Sequence, residues 1–577
     1  MPIPAVYTGR RESIRTTRHL AVNVLPISRL CLALVLLLAS SLSLGQEQAE
    51  APAAAETEVA VQAPAESSAE RVQTILQQLA EANYREKARL ITTLDQLSGK
   101  EMLPLYSAML EGELHYLPGD LSLYRVTEAG EVTSLFTQQA AASVMADELE
   151  KIRVNNSLRK QLRESIARIQ LLYGDKGERE IAAATLLDNM SDESIALLQK
   201  ARASEQDVDV LGLLDAGIAM YTATTSDSTA ERVSAVRSLS GRLESPVRNL
   251  LTQLADKERE DDDAVRQAAA SALKDIEGKI KFFELTETVF FGMSLGSVLL
   301  LAAIGLAITF GVMGVINMAH GEMIMLGAYT TYVVQLLLPQ WLELSVLIAI
   351  PAAFLVSGAV GVIIERTVIR HLHGRALETL LATFGISLIL QQLVRTVFSP
   401  LNRQVATPEW LSGSWVINPV FSLTYNRLAI LIFALVVFVA LLLIMKRTSL
   451  GLYVRAVSQN RDMAKAMGIK TERVDMMTFG LGSGIAGVAG VALSQLTNVG
   501  PNLGQSYIID SFMVVVFGGV GNLFGTLVGA FSLGIANKFL EPATGAVLAN
   551  ILILVFIILF IQKRPKGLFP QKGRAAE

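Results

Sequence analysis

"FGVMGVINMAHGEMIMLGAYTTYVVQ", residues 310–335, decides how the chain is read. The stretch is long and apolar enough to cross a bilayer, yet it holds Asn317, His320 and Glu322. Ionisable groups are costly at membrane depth and mark either solute pathways or fixed internal networks. Gly311, Gly314 and Gly321 interrupt the same run. Irregular backbone is tolerated at depth only against protein or a water-filled cavity. The pattern therefore predicts a glycine-broken segment whose three polar residues either line a path or pair with one another and with freed backbone groups. A metal site built from His320 and Glu322 is disfavoured, because no further ligands cluster nearby.

Other long apolar runs lie around it, at about 288–309, 312–338, 343–364, 376–398, 427–446, 474–496 and 545–562. Basic residues gather after three of them: Arg366, Arg370 and Arg375; Lys446, Arg447, Arg455, Arg461, Lys465, Lys470 and Arg473; Lys563, Arg564, Lys566, Lys572 and Arg574. The positive-inside rule places these loops in the cytoplasm and residue 285 outside. Counting forward, the stretch 508–537 must enter and return within about half the length of two spans. Gly518, Gly519 and Gly521, beside Asn522, supply the turn, so two short half-helices broken mid-membrane are expected. Gly521, Gly525 and Gly529, and Gly480 with Gly484, have the spacing of close helix packing.

The rest of the chain belongs to a different solvent. Residues 46–285 carry 26 basic and 41 acidic groups, whereas residues 286–577 carry 19 and 12. Residues 1–45 combine five Arg with the apolar run "LCLALVLLLASSLSLG", the pattern of an export signal, with an uncleaved anchor as the alternative. The lone Cys31 lies inside it, so a cleaved chain has no thiol. Three domains are expected: a signal at 1–45, an exported, mainly helical domain at 46–285, and a membrane domain at 286–577.

Within the exported segment, Ser67 and Glu70 have capping-box spacing, and "GELHYLPGDLSLYRVTEAGEV" alternates around Pro118-Gly119-Asp120 as a β-hairpin does. Arg-x-x-Ala-x-x-x-Leu occurs at Arg179, Arg232 and Arg266, which suggests either HEAT-like repeats or a non-repetitive bundle. Gly482-Ser-Gly484-Ile-Ala-Gly487 matches a dinucleotide fingerprint but lies within an apolar span with no preceding strand. No phosphate-cradling loop is present, so ATP, if used, binds elsewhere; nothing points to nucleic acid.

"GLAITFGVMGVINMAHGEMIMLGAY", "RTSLGLYVRAVSQNRDMAKAMGI" and "VVVFGGVGNLFGTLVGA" together closely resemble the membrane permeases of branched-chain amino-acid and urea ABC importers, and the wording around residue 320 is most similar to the urea permeases. The resemblance covers residues 286–570. It implies a polytopic α-helical inner-membrane permease and not an enzyme, working with a second permease, two cytoplasmic ATPases and a periplasmic solute-binding protein. It also implies that the amphipathic loop 447–473 couples to the ATPases, with Arg455, Arg461, Asp462 and Lys465 as candidate contacts. Here Arg455-Ala456-Val457 stands where the family's Glu-Ala-Ala is expected. Asn317, His320 and Glu322 suit urea, which offers two amide-type donors and one acceptor. A branched-chain amino acid or short amide is the alternative solute. A passive channel would not need the coupling loop, and a receptor would need a longer cytoplasmic tail.

Overall fold

The computed structural model describes residues 65–570 apart from Ser98, 128–129, 138, 140–143 and 189. The expected signal, Cys31 and most of the linker fall outside the described residues. Contacts divide the chain after Gln73. The first unit is described only through the opening turns of α1 (Ala65–Glu81), and everything below concerns the second. Because α1 begins at Ala65, Ser67 lies within the helix and is not its N-cap. That expectation took the first Ser before an apolar run as the start, whereas the helix extends back through Ala and Glu.

The acidic half opens with α2 (Tyr84–Leu97) and α3 (Leu103–Glu111). Gly112, left-handed at φ 74°, ends α3 and turns the chain into β1 (Leu114–Tyr116). The expected hairpin forms with β2 (Leu123–Val126), pairing Leu114 with Arg125. Asp120 accepts from the Ser122 amide at 2.9 Å and fixes the turn. β3 (Val132–Ser134) and β4 (Glu150–Lys151) extend the hairpin to a four-stranded sheet of order β3-β2-β1-β4.

Six helices follow: α4 (Asn156–Tyr173), α5 (Lys176–Leu187), α6 (Asp192–Ser204), α7 (Val208–Thr225), α8 (Thr229–Ser238) and α9 (Ser245–Ala255). Much of the acidity is helix-start chemistry, with Asp175 closing a capping box with Glu178 and Asp207 capping α7. The recurrent arginines share a role as well. Arg179 bonds back to Gly174 O and pairs with Glu205; Arg232 bonds back to Ala223 O and pairs with Glu260; Arg266 reaches Glu260 O and pairs with Asp263. Each locks the turn before its own helix while the following Ala182, Ala235 or Ala269 is buried. Glu260 is only 6% exposed, so Arg232→Ala strands a buried carboxylate. We expect it to destabilise this half by about 3 kcal/mol, the lower end for breaking a buried pair, and more than Arg179→Ala does, read as the shift in thermal unfolding.

The boundary expected at residues 285/286 falls inside one uninterrupted helix, α10 (Asp263–Met313), whose 51 residues span about 76 Å. Its first turns close the acidic core through Val265, Ala269, Ala272 and Ile276. From Gly292 onward nearly every residue is buried in the membrane bundle. Composition changes at 285, but helical hydrogen bonding does not depend on which solvent surrounds it.

The bundle continues with α11 (His320–Leu337), α12 (Leu342–Thr367), α13 (Ala376–Phe398), a small hairpin of β5 (Ser414–Asn418) and β6 (Phe421–Thr424), and α14 (Tyr425–Arg447). Two short helices follow, α15 (Ser449–Gln459) and α16 (Arg461–Ala466), and then α17 (Thr471–Ser494), α18 (Leu503–Gly518), α19 (Leu523–Thr544) and α20 (Ala546–Lys563). Among the described residues, seven helices are long and apolar enough to cross a membrane. The apolar windows of α10 and α17 are 89% and 83% buried, against no more than 33% in the others, so these two form the bundle's axis. Paired glycines bring backbones together along it, Gly305 against Gly482 and Gly292 against Gly534. The fingerprint-like glycines of α17 thus serve helix packing.

Two ends can be told apart. One carries the basic loops, tied together by Arg370 to Glu472 at 2.5 Å and by the Arg461–Asp475 pair. The other carries Trp341, Trp410 and Trp415, all exposed, as expected of an interfacial aromatic belt.

The stretch 508–537 corrects one expectation. The glycine turn is not mid-membrane: it lies at the basic end, clasped by the segment after α20. Leu568 and Phe569 donate to Phe517 O and Gly518 O at 2.9 and 3.1 Å, and Asn522 donates to Phe569 O at 3.1 Å. Gly519 and Gly521 have φ of 107° and 79° and make the reversal; Gly518 and Gly525 let α18 and α19 cross in contact, with Gly529 one turn further along. At 22 residues α19 is not a half-helix. The glycines serve a tight turn and a helix crossing, which the sequence pattern alone does not separate from a break.

Candidate functional site

The discontinuity lies elsewhere. Gly314, at φ 67°, ends α10 near the basic end, where Gly311 packs on Gly521. The chain then returns without helix through residues 315–319, and His320 Nε2 meets Ala302 O at 2.9 Å. Ala302 lies eleven residues before Met313, so α11 begins about 16 Å back along α10, roughly half a hydrocarbon thickness. α18 also starts at depth. After α17 ends, residues 495–502 fold back inward, Arg403 and Val499 bridging at 2.7 and 2.8 Å, and Gly504 in the first turn of α18 packs directly on Gly321 in the first turn of α11. Two helix N-termini thus meet inside the protein. Neither has a side-chain cap, and each presents the positive end of its dipole.

Glu322 lies at this junction, 1% exposed. Its Oε1 accepts from Ser387 Oγ at 2.8 Å and from Gln391 Nε2 at 2.7 Å, while Oε2 has no partner among the described residues. Gln391 also reaches Gln505 Oε1 at 3.5 Å, and Arg395 donates to Asn502 Oδ1 at 2.8 Å, so α13 ties the first turns of both helices together. Asn317, His320 and Glu322 do not bond to one another through their side chains. Asn317 Oδ1 accepts from the Ala319 amide at 3.0 Å and holds the non-helical entry to α11. His320 is sealed against α10, with Nδ1 unpartnered among the described residues. Of the helix-break candidates, Gly314 provides the break; Gly311 and Gly321 provide close contact.

Ser387, Gln391, Asn502 and Gln505 escaped the sequence reading. A signal for two of them was present: Thr379, Thr383, Ser387, Gln391 and Arg395 recur every fourth residue in α13, a polar stripe on one helix face. Thr383 Oγ1 accepts from the Met318 amide at 3.1 Å, so the stripe also holds the irregular segment.

At the basic end the amphipathic loop forms two helices, α15 and α16, capped by Thr448 and Asn460 and ended by Gly468 at φ 86°. Val454, Val457 and Ala464 anchor them; Leu452, Tyr453, Met463 and Met467 are exposed. Arg455 bonds inward to Met445 O, and Arg461 pairs with Asp475, a buried residue of α17. Asp462 and Lys465 are exposed. His373, in the turn between α12 and α13, is held below the ordinary imidazole range by partial desolvation and by nearby Arg461. Two turns beyond Asp475, α17 reaches Gly482, packed on Gly305 where His320 docks. One rigid helix therefore joins the loop to the junction.

Comparison with known proteins supplies the family. Residues 288–561 match the profile of the branched-chain amino acid transport system permease component. The high-affinity branched-chain amino acid transport system permease protein LivH of Salmonella typhimurium is 30% identical over 298 residues, covering 50% of this chain and 96% of LivH. Its counterpart BraD of Pseudomonas aeruginosa is 31% identical over 288 residues, 48% and 93% of the two chains. The ribose import permease protein RbsC of Escherichia coli is 26% identical over 227 residues, 35% and 63%. No solved structure matches the chain significantly. A membrane half that aligns with nearly the whole of LivH, folded as a bundle of apolar helices, makes this chain a member of the branched-chain amino acid transport permease family, a transporter subunit and not an enzyme.

Proposed function

We propose that the chain is a permease subunit of an ATP-driven importer, with urea as its solute. The observation that carries this reading is the meeting of the α11 and α18 N-termini beside Glu322, joined through α17 and the Arg461–Asp475 pair to the α15–α16 loop. Broken helices whose ends meet at depth are how transporters bind a polar solute within the bilayer. Glu322, Ser387, Gln391 and Gln505 offer the amide and carboxyl chemistry that suits a small neutral solute rich in N–H. The basic end is then cytoplasmic, and the apolar residues exposed on α15 and α16 receive the ATPase; closure of the ATPase pair shifts α17 as a rigid body. Asn502, Gln505 and Ser506 are exposed on one side of α18. Lipid cannot satisfy them, so a second permease closes an aqueous path over this face. The acidic half, continuous with α10, lies in the periplasm, where the solute-binding protein delivers.

A branched-chain amino acid is the second reading, favoured by the substrates named for LivH and BraD. The test is uptake of labelled urea and labelled leucine by proteoliposomes carrying the chain with its partner permease, ATPases and binding protein. We expect uptake of urea only, ceasing without ATP. Leucine uptake would establish the second reading, and uptake indifferent to ATP would remove both.

A further inference from the structure

A second polar feature of the bundle has no part in the junction. Between α10, α18, α19 and α20, towards the tryptophan end, lies a cavity of about 430 Å³, within the size range of small-molecule sites. Leu295 and Leu299 of α10, Val514 of α18 and Leu533 of α19 give it apolar walls. Most of its polar groups are engaged, with the Tyr507 hydroxyl making no hydrogen bond among the described residues. Asn537 donates to Asn550, Lys538 pairs with Glu541 at 2.5 Å, and Ser506 donates to Asn502 O at 3.3 Å. Asp510, half-buried on the same wall, makes no hydrogen bond and no ion pair among the described residues.

This balance selects a ligand. A carboxylate with nothing to receive, facing a cavity whose cation is already paired, leaves acceptor capacity, and the Tyr507 hydroxyl one turn away on the same wall is the donor beside it. A charged group kept unpaired at membrane depth is costly to retain without use. The first two turns of α18 carry both environments, with Asn502 and Gln505 at the junction and Ser506 and Asp510 at the cavity, so a solute in the cavity is one helix face from Glu322.

We propose that this cavity is a second solute site of the permease, one helix face from the junction, where Asp510 receives the N–H donors of the solute. The proposal rests on the importer reading for its solute. The ligand class is a small molecule with several N–H donors, an amide such as urea or the ammonium group of an aliphatic amino acid, with the apolar walls covering the remainder.

Ala546 lines the cavity at the start of α20 and accepts a reporter. In the full transporter with Ala546→Cys and Cys31→Ser, we expect a membrane-impermeant maleimide to label position 546. We expect urea to slow that labelling about tenfold when Asp510 is present and to have no effect with Asp510→Asn, the loss expected for a hydrogen bond to a charged group. Protection by leucine and not urea keeps the site and changes the solute. Labelling blind to both solutes, or Asp510→Asn protected like the parent, overturns the assignment. Asp510→Asn is nearly isosteric, and we expect it to raise the KM for uptake by a similar factor at unchanged expression. Protection without ATP-dependent uptake would leave the second solute site standing and refute the importer reading instead.

Discussion

Glu322→Gln is expected to fold normally and to lose most solute uptake, whereas Glu322→Ala is expected to lose both. The glutamate does two separable things. Its Oε1 satisfies Ser387 and Gln391, both buried, and alanine leaves those donors unmet at about 1–3 kcal/mol each. Glutamine is the same shape and keeps an acceptor oxygen for them, so stability changes little. The second oxygen differs. Oε2 is buried without a partner among the described residues, and glutamine places an N–H₂ there, or at Oε1 if the amide turns over. Should Oε2 receive a solute N–H during the cycle, glutamine meets donor with donor. A contact to a charged acceptor is then lost, which corresponds to about 10- to 100-fold in uptake. The measurement is initial uptake rate per folded transporter, with folding scored by gel filtration and thermal stability. Parental uptake by Glu322→Gln would reduce Glu322 to a structural peg.

Gly504→Leu should lower the yield of folded protein several-fold, and Gly321→Leu should behave alike. Each glycine packs on the other's backbone: a Cβ on Gly504 would collide with Gly321 O, and one on Gly321 would lie 2.5 Å from Gly504 O. Backbone cannot rotate away as a side chain can, so two helix starts must separate, and with them the contacts of Asn502 and Gln505 to α13. Overpacking of this kind costs about 1–3 kcal/mol or more. In cells that lowers abundance several-fold. Gly385→Leu is the control. It is the same exchange in a membrane helix, but a Cβ there meets nothing within 4 Å, and yield should match the parent. Equal yields for Gly504→Leu and Gly385→Leu would mean that the two N-termini do not meet.

Both predictions concern features visible in part beforehand. The cost of holding Glu322 in an apolar run marked it as functional or networked, but its partners lie 65 and 69 residues away in α13. Likewise, Gly321 was noted as a helix-break residue, whereas its contact is with Gly504, on a segment not suspected of beginning at depth. Nor could the run Gly518-Gly519-Val520-Gly521 be placed, because a tight turn and a mid-membrane break need the same φ freedom.

The sequence by itself determined the segments and their solvents: an acidic helical half, a membrane half, the β-turn at residues 118–120, the amphipathic loop after Arg447 and the site of the first helix break. These follow from composition and periodicity, which are local and set by whether a face meets water, lipid or protein. Tertiary structure alone decided that α10 runs unbroken through both halves, that the second discontinuity falls at Leu503, and that Glu322, Gln391 and Gln505 converge. Convergence of this kind depends on which glycines let which backbones touch, a pairing between distant segments that no local pattern encodes.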